Sequence, residues 1–265
     1  MDEIMYDHNS VLICLILLVT MVAGLEIGFR GGSKWRERIG DGQRTQLNAV
    51  QGSLLGMLAL LLGFTFSLAL QRFDDRSKAV VDEANAIGTA LLRASVLDAT
   101  VSTEATASLR AYIDLRVHSA GVSLDYHDER DDLLVRSEQV QAELWSQVQR
   151  ALQIDDRPAT TGLYLQALND MFDAYGRRDA ALSRHVPEAV LFLLFLTFVM
   201  VSTIVGITSG AHGGRPPKSM IAMVTLIVML VFIIIDLDRP RRGIIEIDQS
   251  SLIKLQQPAS SGRTP

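Results

Sequence analysis

Between residues 65 and 76 the chain gathers side chains suited to handling ions: Thr65 and Ser67, then Arg72, Asp74, Asp75 and Arg76. Hydroxyls near the end of an apolar run hydrogen-bond a backbone carbonyl or line a wet path, and charges just beyond the run shape the local potential. On a single copy these charges form a solvated collar with intrahelical pairs. Repeated about an axis, they become rings that select ions. Asp82 and Glu83 extend the acidic set, but a divalent cation needs several converging oxygens, which one helix cannot supply. Glu26 is a second candidate, because a carboxylate within an apolar span is a functional hypothesis by default. Its structural alternative is a pair with Arg30, four residues on, in the favourable acid-before-base order.

Other chemistry is poorly represented. There is no GxxxxGK[ST] phosphate loop, and the GGSK of residues 31–34 lacks the spacing that cradles a phosphate. Neither HExxH nor GxSxG occurs. His118, His127, His185 and His212 are scattered, without a second ligand at useful spacing beyond the carboxylates of an acidic surface. The single cysteine, Cys14, excludes an intrachain disulfide and a cysteine-cluster metal site. No enzyme, cofactor or metal site is expected.

The element that positions the candidate ion-handling residues is one long rod. Residues 53–70 carry no charge and, as helix, reach about 27 Å, close to a bilayer's hydrocarbon thickness. The pattern then continues into water at Arg72 without a proline or a turn cluster. Three more apolar runs, 11–29, 189–208 and 219–235, complete four expected spans. A cleavable signal peptide is the weaker reading of the first, which has no basic segment before it. Gly52, Gly56, Ala59 and Gly63 recur every three or four residues on the second span, a small-residue face that permits close helix packing.

Between the spans the periodicity is helical throughout: Val80, Ala84, Ile87, Leu91 and Ala94 make one stripe. Others are Leu109, Tyr112, Ile113 and Val117; Leu133, Val140, Leu144, Val148 and Leu152; and Leu168, Met171, Phe172 and Tyr175. Breaks fall near 119–125 and 155–158. The organisation read from the chain is therefore all-α. Residues 1–70 form a membrane hairpin, 71–188 an inserted helical domain and 189–236 a second hairpin. Residues 237–265 form a polar tail, disordered after Ile253. Residues 71–188 hold 20 Asp and Glu against 13 Lys and Arg, an acidic balance unsuited to nucleic acid. Orientation is left open, because the basic loops at 30–44 and 215–218 oppose the basic residues flanking the helical domain.

Two segments carry a resemblance. LLGFTFSLALQRFDDRSKAVVDEANAIGTALLRA (61–94), with Asp82, Glu83 and Asn85, and DLDRPRRGIIEID (236–248), with Asp236, Asp238, Pro240 and Gly243, resemble the prokaryotic bestrophin-like membrane family. The likeness extends over about residues 10–255. A fainter one reaches the bestrophins, pentameric channels whose second helix lines the pore and exits with F-R-T-N-x-A-Y-x-R-W-W-E-x-R. Phe64, Ala69, Arg72, Phe73 and Asp75 fit that pattern, and Ser67 is a polar substitute for Asn. Thr65, Phe66, Leu70 and Asp74 depart from it, and Arg76 falls one position early.

The resemblance implies a multi-pass protein of the bacterial inner membrane, a homo-oligomer in the lipid bilayer and a passive ion path along the second helix. Its pore candidates are Thr65, Ser67, Arg72, Asp74, Asp75 and Arg76. The alternative is a non-conducting sensor or interaction module whose helical domain binds a protein partner.

Overall fold

A computed structural model describes residues 9–122, 126–214, 218–239 and 244–257. Among these residues there are eight α-helices and no strand. They are α1 (Ser10–Trp35), α2 (Asp41–Ala94), α3 (Ala99–Gly121), α4 (His127–Ile154), α5 (Leu163–Leu182), α6 (Glu188–His212), α7 (Lys218–Asp238) and α8 (Ser250–Gln256). Four of them, α1, α2, α6 and α7, are long and apolar enough to cross a bilayer. All four expected spans lie inside these helices. The second lies within a helix of 54 residues that begins at Asp41, well before the apolar run.

Local chemistry sets the boundaries. Asn9 caps α1 by accepting from the Val11 amide at 2.9 Å, and Asp98 caps α3 by accepting from the Thr100 amide at 3.1 Å. Gly213, at φ 81°, ends α6 in the left-handed conformation that glycine adopts without steric cost. After α4, Arg157-Pro158 breaks the helix and the chain re-enters through a π-helical turn, Pro158–Gly162. Asp155 anchors this turn by accepting from the Arg157 amide and the Thr160 hydroxyl.

The chain divides into two compact units: residues up to Arg72 with His185–Arg239, and Phe73–Arg184 with the chain from Pro240 on. In the first unit α1 packs on α6 and α7. The α1–α6 contact is made by glycines. A Cβ placed at Gly28 would strike the Thr203 carbonyl, one at Gly32 the Ile207 carbonyl, and one at Gly206 the Leu25 carbonyl. Gly210 meets the Phe29 carbonyl in the same way. In lipid there is no hydrophobic drive between helices, so this small-every-fourth pattern brings the backbones within van der Waals reach.

The second unit has an aqueous-type core. Val80, Ala84, Ile87, Ala90 and Ala94 of α2 pack with Leu109, Tyr112 and Ile113 of α3, Leu144 and Val148 of α4, and Leu168 and Met171 of α5. Two details correct the sequence reading. Leu152 is 37% exposed and Ala151 takes its place in the core, a one-residue step of 100° on the helix. The tail does not become irregular after Ile253, since Lys254, Leu255 and Gln256 belong to α8, whose Leu252 is fully buried in this core. The rest of the expected disordered tail, from residue 258, lies outside the described residues.

Candidate functional site

α2 carries the candidate residues, and its two faces have different fates. Gly52, Gly56, Ala59, Gly63 and Ser67 are all exposed, and a Cβ at Gly52, Gly56 or Gly63 would meet nothing within 4 Å. Among the described residues, the small-residue face is thus left without a packing partner at these glycines. Helical spacing carries the same line on to Asp74, Val81 and Asn85, which are also exposed. Asp75, Lys78 and Asp82 are exposed beside it.

The opposite face turns inward. Thr65, at 2% exposure, sits with Leu58, Leu62 and Ala69 in the first unit, and its hydroxyl donates to the Leu61 carbonyl at 2.8 Å. Arg72 is half-buried on the same line. Arg76 is buried in the second unit, where its Nε donates to the Ala181 carbonyl at 3.1 Å and its Nη2 to the Arg184 carbonyl at 2.6 Å. A cation there offsets the dipole at the end of α5. Thr65 and Arg76 are thus buried within the chain, whereas Ser67 and Asp74 are exposed.

The acidic pair that follows divides in the same way. Asp82 is exposed, while Glu83 has 0% exposure. Arg116 Nε donates to Glu83 Oε1 at 2.6 Å and Arg178 Nη1 donates to Glu83 Oε2. One carboxylate thereby bridges α3 and α5 from α2. The Arg116 guanidinium also lies 4.6 Å from the Tyr175 ring centroid. Arg178 Nη2 donates to Gln249 Oε1 at 2.9 Å, bringing in the C-terminal segment. Burial alone would raise the Glu83 carboxyl, but the two guanidiniums overcome it and hold the group below the ordinary carboxylate range. Glu83 is consequently an internal tie, and its neighbour Asp82 is the residue that meets water.

Next to this network lies a cavity of about 230 Å³ lined by Val80, Arg178, Glu246 and Gln249, among others. Among the described residues its lining holds one carboxylate, Glu246.

In the first unit, Asp238 Oδ2 accepts from the Val186 amide at 2.7 Å, and the Asp238 carbonyl lies 3.1 Å from His185 Nδ1. Arg239 Nη1 donates to the Ser10 hydroxyl at 3.0 Å. Asp236 and Asp238 are both buried. The carboxylate at the end of α7 thus fixes the chain just before α6. Pro240 and Gly243 of the same motif lie outside the described residues. Glu26, finally, accepts from Arg30 Nε at 2.7 Å, with both side chains exposed.

The sequence reading missed the glycines of α1 and α6. A search for small residues at four-residue spacing, applied to Gly24, Gly28 and Gly32, would have found them. The partners of Glu83 carry no such signal, because Arg116 and Arg178 are 33 and 95 residues away.

Four apolar helices, one of them continuing into a helical core knitted by buried ion pairs, define a multi-pass all-helical membrane protein. A family model, the Bestrophin-like domain, matches residues 12–252, and the chain belongs to that family. Searches of curated proteins and of solved structures return no match.

Proposed function

We propose that the protein is a homo-oligomeric passive ion channel in which α2 of each copy faces a common axis. The observation that carries this reading is the exposed small-residue line Gly52–Gly56–Ala59–Gly63–Ser67, open for 4 Å at its three glycines. On a spanning helix such a face suits close approach to another copy. Ser67 is its polar position at the bilayer exit, and Asp74 and Asn85 continue it into water. Rings of Asp74, with Asp75 and Asp82 beside them, would raise the local cation concentration, while Arg72 contributes from the flank. Membership of a channel-type family supports the reading without specifying the ion.

Reconstitution into liposomes tests it. Flux down an ion gradient is expected, and Asp74→Lys should shift cation-over-anion preference toward anions. In a Cys14→Ser background, Ser67→Cys should make flux sensitive to a thiol reagent. A monomer that gives no flux under any gradient overturns the proposal.

A second reading has its own observation. Leu92, at 74% exposure near the end of α2, and Val96 just beyond it are uncovered, and Ile154 and Leu163 are likewise exposed. Arg93 Nη1 donates to the Leu163 carbonyl at 2.7 Å, which brings two of these segments together. An apolar tip on a water-facing unit suits a protein partner. Under this reading the rod transmits position to a bound protein, and Leu92→Asp would abolish partner binding while leaving any flux intact.

A further inference from the structure

The exposed side of α1 runs through Leu12, Ile16, Val19 and Ile27. Helical spacing puts Arg30 and Lys34 on that same side, both exposed. Ile27 and Lys34 are about 10 Å apart along the axis. The apolar stripe therefore passes directly into two cations at the depth where hydrocarbon gives way to headgroups. Trp35, next in the chain and 58% exposed, adds the amphipathic ring favoured at that level.

The neighbouring charges leave these cations available. Residues 26–44 hold five basic side chains (Arg30, Lys34, Arg36, Arg38, Arg44) against Glu26, Glu37 and Asp41. Arg36 lies elsewhere, its guanidinium close to the backbone of Gly213 at the end of α6. Arg44 Nη2 donates to the Arg36 carbonyl at 3.4 Å, and its Nη1 is 3.9 Å from Asp41. Arg30 commits its Nε to Glu26, and its two terminal amino groups remain to meet a second anion. A phosphate bridging Arg30 and Lys34 would take up that capacity, with its acyl chains lying along Ile27, Val19 and Ile16.

We propose that Arg30 and Lys34 form a binding site for the headgroup of an anionic phospholipid, with Trp35 at the same depth as a reporter. The site is independent of whether the protein conducts. It lies at the end of α1 and uses none of the residues of the proposed ion path.

The chain has two tryptophans, Trp35 and Trp145, so Trp145→Phe leaves Trp35 as the only reporter. This variant is reconstituted in phosphatidylcholine vesicles containing either brominated phosphatidylglycerol or brominated phosphatidylcholine at equal mole fraction. Phosphatidylglycerol is expected to quench Trp35 at roughly thirtyfold lower mole fraction, the order given by two basic side chains at a membrane surface. Added inorganic phosphate should not remove the preference, because a free anion brings no acyl chain.

In R30Q/K34Q the preference should vanish while quenching by brominated phosphatidylcholine persists, showing that the helix is still inserted. R30K/K34R should restore it. Equal quenching by the two lipids in the parent overturns the site, as does a preference that survives in R30Q/K34Q. Either result would assign the charges to water or to a protein partner.

Discussion

At the residue scale, Glu83 has the largest expected effect. Replacing one member of a buried ion-paired group leaves the others uncompensated, at a cost of about 3–5 kcal/mol. Glu83→Gln should destabilise the protein by that order in thermal or denaturant unfolding followed by circular dichroism in detergent. Asp82→Asn, one residue away but exposed, should change stability by less than about 0.5 kcal/mol. The sign of the pH dependence follows from the depressed Glu83 carboxyl. Its contribution is complete above the ordinary glutamate value of about 4.3 and is lost as pH falls through the lower folded-state value. Acidification should therefore weaken the parent protein, and Glu83→Gln should show a shallower loss over that window.

At the element scale, two glycine-rich faces make opposite predictions. A methyl group at Gly28 or Gly206 meets a backbone carbonyl, which cannot move aside as a side-chain tip would. Gly28→Ala and Gly206→Ala should each cost at least about 1–3 kcal/mol and lower the yield of folded protein. Gly56→Ala meets open space and should not destabilise the single chain, alanine being the better helix former. A bulkier Gly56→Leu should alter the assembled species seen by size exclusion with light scattering, without changing helix content. If Gly56→Leu leaves assembly untouched, the face is not an oligomer contact. The π turn after α4 belongs to this scale too. Pro158 announces the break, but the geometry of the turn depends on Asp155 bonding both Arg157 and Thr160.

At the scale of the whole molecule, the C-terminal segment returns to complete a core begun far earlier in the chain. Leu252 is fully buried with residues of α2 to α5, and Gln249 holds Arg178. Leu252→Ala should cost about 2–5 kcal/mol and speed hydrogen exchange in α8 and in the Arg178 region of α5.

Much of this architecture was readable from the chain, because hydropathy and the 3.6-residue period are local properties. The spans, the helical stripes and the breaks near 121 and 155 are all of this kind. The family, too, was carried by two short segments around Asp82–Asn85 and Asp236–Gly243. Within the candidate site the reading was less complete. Thr65, Arg72 and Arg76 are polar residues in a plausible place, but which way a helix turns them depends on what packs against it.

The sequence alone determined that the chain is helical with four apolar helices, the second of which runs on well past its apolar run. A helix's length, its apolar content and its capping residues are written in neighbouring positions. Tertiary structure decided which face of each helix is spent. Gly28 and Gly206 close the subunit while Gly52, Gly56 and Gly63 remain open, although all belong to small-residue stripes. Glu83 is sealed between two arginines while Asp82 faces water, although the two are adjacent. The physical reason is the same in both cases. One residue is a 100° rotation on a helix, and only the partner helices, distant in sequence, fix which direction is inward.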